Sequence, residues 1–222
     1  MRKRHPLGGS MARKILFLIG LMITVNESAI SQIKFGLQAG DDLAYQHLEY
    51  QSVIAGNSSF NKKMIPAFHV GITSQIKISG KIDIQPALLF IRKGSKYYFP
   101  SSGITVEQKI FLSYIELRTP AVYNIPGREL IYFIGAGPEI AYGVSGKLKQ
   151  NTAPEDLGLF DSIFERIDGG MVILAGLKKN RWQASLDYDL GLVNTFQNRS
   201  SSKNTNHVFG LSLIYYLWEL KN

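Results

Sequence analysis

The chain has 222 residues, enough for one sizeable domain and marginal for two. Only 19% of them are charged while Tyr and Phe number 11 and 12, a balance that favours strands over helices. With no Cys there is no disulfide framework, no thiolate metal site and no Cys nucleophile.

The formal charge of +8 is concentrated at the start. Residues 1–31 hold five of the 25 Lys and Arg and one of the 17 acids, which leaves 20 against 16 over the rest. No Lys/Arg cluster with interleaved aromatics follows residue 31, so nucleic acid is not an expected partner. Within this basic start, Met11 opens "MARKILFLIGLMITVNESAISQ". Arg13 and Lys14 make a positive n-region, Ile15 to Val25 an apolar run of 11 residues, and Ala29 and Ser31 the small residues before a cut at Gln32. A run this short falls below the ~20 residues of a spanning helix. Residues 1–31 are therefore read as an N-terminal extension followed by an export signal (about 11–31), and 32–222 as one barrel domain.

From Gln32 on, side chains alternate with a period of two. "IKFGLQAG" sets Phe35, Leu37 and Ala39 against Lys34, Gly36 and Gln38. "AFHVGITSQIKI" sets Phe68, Val70, Ile72, Ile76 and Ile78 against His69, Gly71, Thr73, Gln75 and Lys77. Ser79-Gly80 then turns the chain into "KIDIQPALLFIRK". In "FLSYIELRTPAVYNI", Ile115, Leu117, Ala121, Tyr123 and Ile125 oppose Tyr114, Glu116, Arg118 and Asn124. A turn at Pro126-Gly127 leads into "YFIGAGPEIAYGVSGKL". "GGMVILAGLKK" and "RWQASLDYDLGL" flank a turn at Asn180, and "HVFGLSLIYYLWEL" closes the set. Eight strands are predicted, near 33–42, 66–78, 81–93, 109–125, 128–147, 164–179, 181–193 and 206–218, with no strongly helical segment.

The glycines of Gly135-Ala136-Gly137 allow a phosphate-cradling loop or a strand with small residues on one face. A dinucleotide loop needs G-x-G-x-x-G ahead of a helix; here the third Gly is missing and strand alternation continues. The stretch is read as wall, and no cofactor is expected.

Connections alternate in length. Those at 43–65, 94–108, 148–163 and 194–205 are long, and those at 79–80, 126–127 and 180 are short. That is the rhythm of an outer-membrane barrel with long external loops and short periplasmic turns. The fold class expected is all-β, an eight-stranded antiparallel up-and-down transmembrane β-barrel. Its lumenal face would carry Glu116, Arg118, Glu139, Asp168, Asp187 and Asp189, with Gly36, Gly71, Gly135, Gly137, Gly176 and Gly210 making room among them. Phe99, Tyr123, Tyr132, Trp182, Tyr215 and Trp218 near strand ends would form interfacial girdles.

Several of these stretches also carry a family resemblance. "IYFIGAGPEIAYGVSGKL" resembles the fifth-strand motif of the PorT-like outer-membrane β-barrel family. "LSYIELRTPAVYNI" is similar to its preceding strand, usually Y-x-E-x-P, except that Arg118 and Thr119 here precede Pro120. "KFGLQAG" resembles its opening strand, and "SLDYDLGLVN" with "NRS" its closing hairpin, although this chain runs four residues past Trp218. The resemblance spans about 32–218 and implies an eight-stranded barrel in the outer membrane of a Gram-negative envelope. It brings no catalytic residues. The family is named for a member linked to type IX secretion, a role that does not extend to its members generally.

The expected partners are the outer-membrane lipid bilayer, the barrel-assembly machinery, and an envelope or extracellular protein not identified by the sequence. The lumenal charges allow an ion path or a structural plug, and an eight-stranded lumen just fits its own side chains, which favours the plug. His47, His69 and His207 are far apart in sequence and form no legible Ser-His-Asp arrangement. Tyr97, Tyr98 and Phe99 make either an exposed recognition patch or a strand extension above the membrane. The alternative to a membrane barrel is a soluble, exported, lipocalin-like barrel binding a small apolar ligand, which would need an apolar lumen.

Overall fold

In a computed structural model, which describes residues 32–50, 61–101, 104–150, 155–156, 159–197 and 202–221, long antiparallel strands close into a ring. The export signal and extension of residues 1–31 lie outside the described residues. No helix among the described residues is long and apolar enough to cross a membrane.

The strands are β1 (Gln32–Tyr50), β2 (Asn61–Lys63), β3 (Ile65–Lys77), β4 (Ile82–Ile84), β5 (Ala87–Ser101), β6 (Ile104–Arg118), β7 (Ala121–Pro126), β8 (Ile131–Gln150), β9 (Glu155–Asp156), β10 (Ile167–Lys179), β11 (Trp182–Gly191) and β12 (Ser202–Lys221). A single helical turn, α1, covers Leu159–Ser162. Around the ring, β1 pairs β3, β3 pairs β5, β5 pairs β6, β6 pairs β8, β8 pairs β10, β10 pairs β11, β11 pairs β12, and β12 returns to β1. Each wall strand neighbours the next in sequence, so the barrel is up-and-down, and its eight-strand ring is closed, with the short β2 and β9 each pairing on one side only among the described residues.

Two of the eight wall strands are broken by prolines. Pro86 separates β4 from β5, and Pro120 separates β6 from β7, because proline has no N–H for the ladder. The breaks lie on neighbouring strands, where β4 pairs β7 and Gln85 N donates to Pro120 O at 2.9 Å. The short connections match the expected turns. Asn180, with φ of 55°, makes the tight link between Lys179 and Trp182, a conformation that Asn tolerates.

The opposite end differs from expectation. The stretch 94–108 is a hairpin, not a loop: β5 and β6 stay paired from Ala87–Arg118 up to Ser101–Ile104. Outward positions there are polar or charged, which in sequence reads as loop composition. β1 likewise runs on to Tyr50, and β12 starts at Ser202, so the predicted loops 43–65 and 194–205 are partly strand. The stretch 148–163 holds the end of β8, then β9 and α1.

Side chains point the way the alternation requires. Outward stand Leu37, Val70, Ile72, Leu117, Ile134, Ile140, Ile173, Leu186, Leu211 and Leu213, with Ile72 58% and Leu186 69% exposed. Asp41 interrupts this band on β1. At the turn end, Tyr123, Tyr132, Trp182 and Trp218 are exposed, with the Trp182 and Tyr215 rings 4.6 Å apart. Phe99, also expected in a girdle, has a side chain outside those described.

Candidate functional site

All six predicted lumenal residues are buried inside the ring: Glu116, Arg118, Glu139, Asp168, Asp187 and Asp189. β6 supplies Glu116 and Arg118, two apart and so on one face. β8 supplies Glu139, β10 Asp168, and β11 Asp187 and Asp189. The Arg118 guanidinium donates to Glu116 Oε1 at 2.6 Å and to Asp189 Oδ2 at 3.3 Å, and Asp187 Oδ2 lies 4.0 Å away.

The missing member of the network was Lys93. Its Nζ lies 2.8 Å from Glu116 Oε2, 3.3 Å from Asp168 Oδ2 and 3.6 Å from Glu139 Oε1. Lys93 ends the predicted third strand, beside Gly94, and looks like the start of a polar loop. Its parity with Ala87, Leu89 and Ile91, all buried, was the signal that it turns inward. The carboxylates of Glu116, Glu139 and Asp189 come within 4.8 Å of one another, and Lys93 and Arg118 are the protein's own cations at that cluster.

A second chain of contacts joins this one. Asp42 faces His69 Nδ1 at 3.0 Å, and His69 Nε2 faces Ser212 Oγ at 2.9 Å. The three come from β1, β3 and β12, and no local pattern of residues places them together. An Asp-His-Ser order is that of a nucleophilic triad. Here, though, Ser212 Oγ donates to the Asp187 carboxylate and accepts from Gln38 Nε2 at 3.3 Å. Asp42, His69 and Ser212 are 4%, 2% and 1% exposed, and a Cβ at Gly40 would come within 2.3 Å of the His69 ring. A substrate carbonyl has no approach to that oxygen. The trio extends the ion network.

Apolar layers close the network on both sides. Towards the long connections, Leu159 and Phe160 of α1, with Phe164, drop inside the ring against Ile65, Leu112, Tyr114, Ala141 and Val208. Phe160 meets the Tyr114 ring edge-on at 5.4 Å, and Tyr114 sits 5.5 Å from Lys93 Nζ. Gln197 Nε2 holds α1 down by donating to Phe160 O at 2.9 Å. Towards the turns, Val122, Phe133, Val172 and Leu174 form a second apolar cluster. Lys178 lies over Phe133 there and donates to Asp83 Oδ2 at 3.0 Å. The lumen was expected to be polar throughout. It is instead layered: at one end a four-residue helix too short to show periodicity brings apolar side chains back into it, and at the other Val122, Phe133, Val172 and Leu174 turn inward from strands.

The aromatic trio of the second predicted loop separates as strand residues do. Tyr97 is buried and donates to Gln46 Oε1 at 2.9 Å, while Tyr98 lies outside beneath the ammonium groups of Lys63 and Lys96.

Residues 18–197 match the family model described as outer membrane protein beta-barrel domain. Among solved structures, the chain is similar to Neisserial surface protein A, with 13% identity over 82% of this chain and 97% of that one and a TM-score of 0.46. It is also similar to OprG from Pseudomonas aeruginosa, with 9% identity over 87% of this chain and 98% of that one and a TM-score of 0.47. Ail of Yersinia pestis has 10% identity over 85% of this chain and all of that one (100%), with a TM-score of 0.40. No curated protein matches.

Proposed function

As the chain belongs to the outer membrane protein beta-barrel domain family, we propose that it is a closed, non-enzymatic anchor of structural or interaction type in the outer membrane. The observation that carries this reading is its inverted polarity. Lys93 and Glu116 are 1% and 0% exposed inside the wall, while Leu186 and Ile134 are 69% and 57% exposed outside it. A soluble lipocalin-like barrel would need the reverse, an apolar pocket within a polar exterior. An apolar exterior of this extent has no place in water.

The lumen supports an anchor rather than a channel. Water does not reach Glu116, and apolar layers lie above and below the network. In this reading the short turns face the periplasm. The long hairpins and α1 face outward, where an envelope or extracellular protein would meet them. Insertion would follow the route of other barrels, through the assembly machinery. Within the family, the order of the motifs "KFGLQAG", "LSYIELRTPAVYNI" and "IYFIGAGPEIAYGVSGKL" favours a place among the PorT-like barrels.

Conductance tests the closed state. The folded protein in a planar lipid bilayer is expected to pass no steady unitary current. A reproducible stepwise conductance would contradict a sealed lumen.

A further inference from the structure

Four lysines distant in sequence stand side by side on the outside of the barrel. Lys63 of β2 is in register with Lys96 of β5, Lys96 with Lys109 of β6, and Lys109 with Lys149 of β8. Residues paired in an antiparallel register project from the same face, and neighbouring strands lie ~4.8 Å apart. The four side chains therefore leave the wall in one row about 14 Å long. Parity fixes which face it is: the alternate residues Ser95 and Tyr97 are buried in the lumen, at 0% and 6% exposed.

The surroundings of the row are those of a membrane interface. Two outward positions towards the turns, four residues from Lys96, the same face carries Arg92 against the rings of Phe68 and Phe111, at 5.1 and 5.7 Å. Arg92 Nε is buried and has no hydrogen-bond partner. Below Arg92 the apolar band begins with Leu88 and Ile115. Among the described outward side chains of β2, β5, β6 and β8 at this end, Glu107 is the one carboxylate. It pairs with Lys96 at 3.3 Å and Lys109 at 3.0 Å. Like charges directly opposite one another weaken a sheet, and here three such pairs run in sequence with one acid among the described outward side chains of these four strands to serve them.

A ligand that repays this arrangement has several anionic oxygens at headgroup depth and acyl chains for the band below. We propose that the row Lys63–Lys96–Lys109–Lys149, with Arg92 beneath it, binds the phosphate groups of a lipid in the leaflet at the long-connection end. This rests on the reading of the chain as a membrane barrel. Lysine suits the task because its ammonium meets phosphate as a point charge on a flexible stem. Juxtamembrane basic groups of this kind are drawn to anionic lipid surfaces.

The test uses the folded barrel in neutral detergent, its folding verified by a mobility difference between boiled and unboiled samples. Fluorescent diphosphorylated lipid A is the probe. Lys96→Gln/Lys109→Gln is expected to weaken binding about ten-fold or more, as is Lys63→Gln/Lys149→Gln, in keeping with the pull of each basic group on an anionic surface. Lys179→Gln, at the far end, is expected to leave binding unchanged. Excess inorganic phosphate is expected to leave the lipid in place. Folded double variants that bind like the wild type would overturn the proposal alone. Complete displacement by inorganic phosphate would make the row a free-anion site and also overturn it. A wild-type chain that never gives the folded form would remove the membrane reading, and this proposal with it.

Discussion

Lys93 Nζ lies 2.8 Å from Glu116 Oε2 at the centre of the barrel, with the two side chains 2% and 0% exposed. One cation thus serves three carboxylates, since Asp168 and Glu139 also face it. Removing it leaves buried charges without a partner, and breaking such a network costs about 3–5 kcal/mol. Lys93→Met is expected to lower the urea midpoint of the lipid-inserted barrel accordingly. Glu129→Gln, which removes an exposed pairing with Lys179, is expected to stay within about 0.5 kcal/mol of wild type. Equal midpoints for the two would mean that the lumenal network does not hold the wall together.

The outward face makes a separate prediction. Ile140 lies mid-strand on β8 and Leu186 mid-strand on β11, both exposed. Ile140→Arg or Leu186→Arg is expected to cost about 2–4 kcal/mol of insertion free energy. Arg at Glu129, in a short turn, is expected to cost little. Folding yields into vesicles of increasing thickness would read the difference.

Phe160 has its place inside the ring because β8 carries Gly143 beneath it. A Cβ at Gly143 would come within 2.4 Å of the ring. Gly143→Ala is therefore expected to destabilise by about 1–3 kcal/mol through overpacking. Combining it with Phe160→Ala is expected to cost less than the two single changes added together, because the clash is gone. Strict additivity would place α1 elsewhere.

The wall was legible because lipid outside and charge inside impose the same period-two pattern on every strand. Glu116 and Arg118 could be placed in the lumen by parity alone, as could Asp187 and Asp189. What lay beyond that signal was of three kinds. The β5–β6 hairpin above the apolar band alternates between two polar surroundings, so Lys96 and Glu107 look like loop residues. The Asp42–His69–Ser212 contacts join residues 27 and 143 positions apart, and only barrel closure brings β1, β3 and β12 together. The lysine row has the same origin: Lys63, Lys96, Lys109 and Lys149 are scattered in sequence and aligned by strand register. Leu159 and Phe160 sit in a single turn, too short for any periodicity to announce that the chain re-enters the lumen.

The central claim is that the apolar face of this barrel meets lipid. The chain has 2 tryptophans, Trp182 and Trp218, both about half exposed on that face at the turn end. Their fluorescence can be measured after folding into vesicles of phosphatidylcholine brominated either near the headgroup or at the chain end. The account predicts strong quenching, greater for bromine near the headgroup, because both rings lie in the girdle at one interface. Tryptophan emission from the folded protein that neither brominated lipid quenches would contradict it.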